Sequence, residues 1–202
     1  MRRIVPLLVA CGALGVLAWV AARDDAPKTA RATGTVSLVG DSLNVGIEPY
    51  LPDALPGWTI RNDNREGRLT AEGVDVLRSL GRELAPWVVV SLGTNDQPDD
   101  VAGFRARVRR AVALAGAGRC VIWVGLYRTG EPYDELNAVL RDEAARSGNV
   151  RILDWGTLVL RNPEWLAVDG VHATSEGYTK RAEAVADAVR SCTPRRAPPA
   201  PA

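Results

Sequence analysis

Histidine is almost absent from this sequence: 202 residues contain one, His172. Only three cysteines are present and none sits in a Cys/His cluster, so no zinc site of the usual composition can be assembled, and no metal or other cofactor is expected. An excess of one charge is also missing. The 25 Lys and Arg against 24 Asp and Glu leave a formal net charge of +1, with no basic stripe, which argues against a nucleic-acid surface. Internal repeats are lacking, which excludes a solenoid. The pattern G-x-S-x-G occurs nowhere, which excludes the nucleophile-elbow class of hydrolase. Long uncharged apolar runs are confined to one, residues 4–22.

That run follows Met1-Arg2-Arg3 and ends before Arg23-Asp24-Asp25. A basic start and an apolar middle read as a secretory signal or a single membrane anchor. Val20-Ala21-Ala22 offers small residues for cleavage after Ala22, and the run is also about long enough to span a bilayer. Leu8-Val9-Ala10-Cys11 has the look of a lipidation site, but residues 12–22 stay apolar where a lipoprotein turns polar. The expectation is a secreted or extracytoplasmic protein, cleaved rather than anchored, touching a membrane only through residues 4–22. Residues 23–33 are polar and aperiodic, a linker. Residues 193–202, T-P-R-R-A-P-P-A-P-A, read as a disordered Pro-rich tail. The domain spans 34–192, long enough for a single core, and is expected to be monomeric.

Within it, short apolar runs at 35–39, 58–61, 87–92, 121–126 and 150–153 alternate with amphipathic stretches at 43–51, 70–83, 99–116, 132–147 and 175–191. In the third stretch Val101, Phe104, Val108, Val112 and Ala115 recur at helical spacing. Runs this short and continuous suit strands buried on both faces. The alternation predicts an α/β fold: three layers, α/β/α, around a five-stranded parallel, flavodoxin-like sheet. Ligands of such sheets sit at the carboxyl ends of the strands.

The residues after each run therefore carry the functional reading. Gly40-Asp41-Ser42 follows the first, Asn62 to Arg68 the second, Gly93-Thr94-Asn95-Asp96 the third, and Tyr127-Arg128-Thr129 the fourth. Asp169-Gly170-Val171-His172 precedes the last helix. Ser42 has two readings, helix cap or nucleophile. Asp169, three residues before the sole imidazole, can orient it as the acid of a Ser-His-Asp triad does. Donors for a tetrahedral oxyanion are available in the Ser42 and Gly67 N–H groups and the Asn95 amide.

G-D-S-L at 40–43, Gly67, G-T-N-D at 93–96 and D-G-V-H at 169–172 resemble, in order, the blocks of the SGNH/GDSL hydrolase family. The resemblance covers about 34–191. It implies Ser42 as nucleophile, His172 as base, Asp169 as its orienter, and Ser42, Gly67 and Asn95 as the oxyanion hole. Residues 67–78, Asp154-Trp155 and residues 165–178 are similar to the SGNH domains of bacterial cell-envelope O-acyltransferases. The expected activity is hydrolysis of small-molecule or glycan esters of short acyl groups. Acetyl transfer to envelope polysaccharide or peptidoglycan is the first alternative, and a non-catalytic binding module the second.

Arg65, Arg68 and Arg128 stand near the expected site, and Tyr127, Trp155 and Trp165 could line it. Arg68, Tyr127, Arg128 and Trp165 are the substrate-lining candidates. Asp96, Asp99 and Asp100 are read as a solvated loop rather than a cation site. Cys120 precedes the fourth strand and Cys192 ends the last helix, both at the amino edge of the sheet, so a disulfide between them is expected.

Overall fold

The computed structural model describes residues 33–195. The expected leader at 1–22, residues 23–32 of the expected linker and 196–202 of the expected tail lie outside the described residues. Five strands form one parallel sheet in the order β2-β1-β3-β4-β5: β1 (Thr35–Gly40), β2 (Thr59–Asn64), β3 (Trp87–Ser91), β4 (Cys120–Val124) and β5 (Val150–Leu153). The described helices are α1 (Ser42–Ile47), α2 (Leu51–Ala54), α3 (Thr70–Leu80), α4 (Val101–Ala115), α5 (Asp134–Ser147), α6 (Trp155–Arg161) and α7 (Ser175–Ser191).

Side-chain alternation along the strands divides the core into two layers. Val88 and Val90 of β3, with Val121 and Trp123 of β4, pack against Leu77 of α3, Phe104 and Val108 of α4, and Leu136 and Leu140 of α5. Val89, Ile122 and Val124 face the other way, onto Ile47, Leu51, Trp155 and the α7 stripe Ala182, Val185, Ala186 and Val189. Each of these Val, Leu, Ile and Phe side chains, fully buried, contributes about 1.5–3 kcal/mol. The expected three-layer α/β architecture is the one observed.

Three local expectations need correction. Strand β2, T-I-R-N-D-N, has exposed and half-buried residues and none fully buried, rather than being buried on both faces, because it forms one edge of the sheet. The helix expected over 43–51 is two helices: Pro49 brings no N–H with which to continue the hydrogen-bond ladder beyond α1. Helix α6 was not anticipated; it is only seven residues long, and Asp154 caps it by accepting from Thr157 N at 3.0 Å.

Cys120, the first residue of β4, is bonded to Cys192, the residue capping α7, with Cα atoms 6.1 Å apart. Trp87 Nε1 donates to Cys192 O at 2.7 Å, and Trp58 meets Trp87 edge to face at the same end. The amino edge is thereby fastened, and the polar loops lie at the other edge.

Candidate active site

Strand β1 pairs with β2 on one side and β3 on the other, with Gly40 opposite both Asn64 and Ser91. The loops leaving β1, β2 and β3 therefore emerge side by side where the strand order reverses, the place where such sheets bind ligands. Ser42 opens α1 directly after β1. Asp41 is the cap, its Oδ1 accepting from Leu43 N at 3.0 Å. The capping role that the sequence left open for Ser42 thus falls to its neighbour, and the Ser42 hydroxyl is left to other partners.

Its partner is the sole imidazole. His172 Nε2 lies 3.0 Å from Ser42 Oγ, across 130 residues of chain. His172 Nδ1 lies 2.7 Å from Asp169 Oδ2. Asp169 Oδ1 accepts from the backbone N–H of Val171 at 3.0 Å and of His172 at 2.9 Å, which fixes the turn. Gly170 allows that turn: its φ is +68°, and a Cβ there would stand 2.6 Å from Thr129 Oγ1. The loop is anchored by Ala167 N donating to His172 O and by Thr129 N donating to Gly170 O. The hydrogen bond to His172 and the two backbone N–H groups hold the Asp169 carboxyl down at about 2, from its ordinary 3.8.

Gly67, φ +67°, turns the chain after β2, and a Cβ there would meet nothing within 4 Å. Its surroundings are open to a ligand, and no described residue accepts from its N–H. Asn95 Nδ2 donates to Arg68 O at 3.3 Å and to Asp41 Oδ2 at 3.5 Å. The amide of Asn95, the carbonyl of Arg68 just after Gly67 and the start of α1 thus converge. Chemically, a hydroxyl beside an oriented imidazole, with N–H groups at hand, can attack a carbonyl and shelter the oxyanion that forms.

Three of the other singled-out residues, Arg68, Trp165 and Asp96, read differently in three dimensions. Arg68 lines neither cleft beside the site. It is 6% exposed, and its guanidinium donates to Gly40 O, Asp63 O and Asp63 Oδ1, tying the turn to β1 and β2. Arg65 is paired with Glu72 at the surface. Trp165 stacks on the buried Trp155, ring centres 6.2 Å apart, and lines neither cleft beside the site. Asp96 is buried rather than solvated, accepting from Thr70 N at 3.0 Å at the start of α3. Tyr127 and Arg128 do line a cleft of about 240 Å³ after β4. Tyr127 also borders a second, of about 520 Å³, which reaches Asp169 and Gly170 between Leu160 and Val168.

Arg181 of α7 escaped the sequence reading. It is 1% exposed, lies 4.8 Å from the Trp155 ring centre, and donates through Nη2 to Ser91 Oγ at 3.0 Å. Its spacing was the available signal: Arg181, Val185 and Val189 recur every four residues on the buried face of α7.

Residues 28–180 match the GDSL-like lipase/acylhydrolase family. The chain belongs to that family. Among family relatives, the O-acetyltransferase OatA of Staphylococcus aureus is 27% identical over 144 residues, covering 69% of this chain and 22% of its own length. This chain spans about a quarter of the length of the curated relatives it matches. The C-terminal catalytic domain of Streptococcus pneumoniae peptidoglycan O-acetyltransferase A superposes with a TM-score of 0.63 at 24% identity, over 80% of this chain and 92% of that domain. A lipase/acylhydrolase from Enterococcus faecalis gives a TM-score of 0.65 at 22% identity, over 81% and 99%. These structures share the GDSL-like fold: the five-stranded parallel sheet with helices on both sides.

Proposed function

We propose that the protein is an extracytoplasmic serine esterase that works through an acyl-enzyme on Ser42. The observation carrying this reading is the unbroken chain of contacts from Ser42 Oγ through both ring nitrogens of His172 to Asp169. His172 takes the Ser42 proton as the oxygen attacks an ester carbonyl. Asp169 holds the ring in the tautomer with hydrogen on Nδ1 and balances the imidazolium that forms. The oxyanion is received by the N–H groups of Ser42 and Gly67 and the Asn95 amide. His172 then protonates the leaving alcohol, and water, activated by the same imidazole, releases the acid. The leader-like residues 4–22 and the disulfide support export to an oxidising compartment.

A second reading replaces water with a sugar hydroxyl. What favours it is kinship: the relative from S. aureus is named as an O-acetyltransferase and the solved S. pneumoniae domain as a peptidoglycan O-acetyltransferase. One experiment separates the two. The protein is incubated with a chromogenic acetyl ester, with and without peptidoglycan fragments, and the products are weighed by mass spectrometry. Free acetate at an unchanged rate supports the esterase; acetylated fragments formed at the expense of acetate support transfer. No turnover in either arm, or turnover that survives Ser42→Ala, refutes both.

A further inference from the structure

Beneath the proposed oxyanion hole lies a second set of charged groups that the mechanism above does not use. Asp41, Ser91 and Arg181 are all 3% exposed or less. Arg181 Nη2 donates to Ser91 Oγ at 3.0 Å, which leaves the single hydroxyl hydrogen of Ser91 to point at Asp41 Oδ1, 3.5 Å away. The two oxygens of Asp41 then divide their work. Oδ1 takes Leu43 N and fixes the start of α1; Oδ2 faces Asn95 Nδ2. The donors converge on the carboxylate: Arg181 donates to Ser91 and Ser91 to Asp41 from one side, and the Asn95 amide donates to Asp41 from the other. We infer that Asp41, whose ionised form Arg181 and Ser91 favour against its burial, is the positioning residue that aims the Asn95 amide, so that the oxyanion hole is assembled only while Asp41 carries its charge.

The reason is geometric and electrostatic. Asn95 Nδ2 carries two hydrogens and has two acceptors in the protein, Arg68 O and Asp41 Oδ2; an oxyanion takes the hydrogen now turned to Arg68 O, while Asp41 keeps the other. Protonation of Asp41 removes the charge that draws one amide hydrogen toward the floor of the site and leaves the side chain tethered on one side. A buried carboxylate without a cation is unfavourable, and Arg181 supplies the cation. Burial nevertheless pushes the Asp41 carboxyl up to about 6, so its ionisation falls in a range where enzymes work. The groups facing Asp41 are Ser91 and Asn95 at the end of β3, Tyr133 at the start of α5, and Tyr178 and Arg181 on α7, with Arg181 the one cation among them. The inference rests on the proposed role of Asn95, so its test needs a readout apart from turnover.

The Asn95 side-chain amide signals are followed by NMR against pH in the full chain, on a His172→Gln background that removes the only imidazole. They should shift through an apparent pKa near 6. The shift should vanish in Asp41→Asn, and in Ser91→Ala it should move to higher pH, because the Ser91 hydrogen bond lowers the Asp41 pKa. With His172 restored, Asp41→Asn should lower kcat for a p-nitrophenyl ester by about 10- to 100-fold with KM little changed, short of the ~10²–10³ for loss of the donor itself. If Asp41→Asn does not fold, the Ser91→Ala shift carries the test. Amide signals flat from pH 5 to 8, or the same titration persisting in Asp41→Asn, overturn the inference. A flat signal with turnover abolished by Ser42→Ala would do so while leaving the esterase reading intact.

Discussion

The junction of β1 with α1 and the loop at 166–172 each bring an aspartate to the site, in opposite settings. Asp41 is buried and cross-braced to α7, and its carboxyl is pushed up to about 6. Asp169 has a side chain 48% exposed, is held by its own turn, and lies at about 2. Burial dominates the first and hydrogen bonding the second, so one residue type is tuned in two directions within a single site. In the proposed mechanism the contrast separates two jobs: the exposed aspartate holds a ring that changes charge during the reaction, whereas the buried one holds groups that must not move.

The largest effects should test the loop side. Ser42→Ala and His172→Ala should each lower kcat/KM for a p-nitrophenyl ester by about 10⁴–10⁶-fold. Asp169→Asn should cost up to about 10⁴-fold by favouring the wrong tautomer. Asn95→Ala should cost about 10²–10³-fold in kcat at similar KM, less than removal of the nucleophile.

A pH scan of Tm sharpens the comparison. For Asp41 the folded carboxyl keeps its proton up to about 6 while the unfolded one loses it near 3.8. The folded state therefore binds more protons in that window, and this group makes stability fall as pH rises through it. For Asp169 the folded value is the lower one, so its contribution is present above 3.8 and lost as pH falls toward about 2. Asp41→Asn should flatten the first slope only, and Asp169→Asn the second only. The smallest effect on catalysis is expected at the other edge of the sheet. Replacing Cys120 and Cys192 by serine opens a link across 72 residues and should cost up to about 4 kcal/mol of stability while kcat stays the same.

The layers were legible because β-branched runs such as V-V-V at 88–90 and the i, i+4 spacing of α4 and α7 have few other folded outcomes. The residues of the proposed triad were legible because each stands at a strand end or in the tight turn that Gly170 permits. The brace was not. Arg68 and Arg181 look like surface cations in a linear reading, and their burial follows from partners that are distant in sequence: Gly40 and Asp63 for one, Ser91 and the Trp155 ring for the other. Helix α6 is too short to show a period, and the exposure of β2 depends on its being at an edge, which only the strand order decides.

The account stands on the contact between Ser42 and His172, and rapid mixing with p-nitrophenyl acetate tests it most directly. The wild-type protein should release a burst of p-nitrophenol stoichiometric with enzyme, with an acetyl group recovered on Ser42 by peptide mass spectrometry, and Ser42→Ala should give no burst. An acetyl group found on another residue, or a burst of wild-type size from Ser42→Ala, would contradict it.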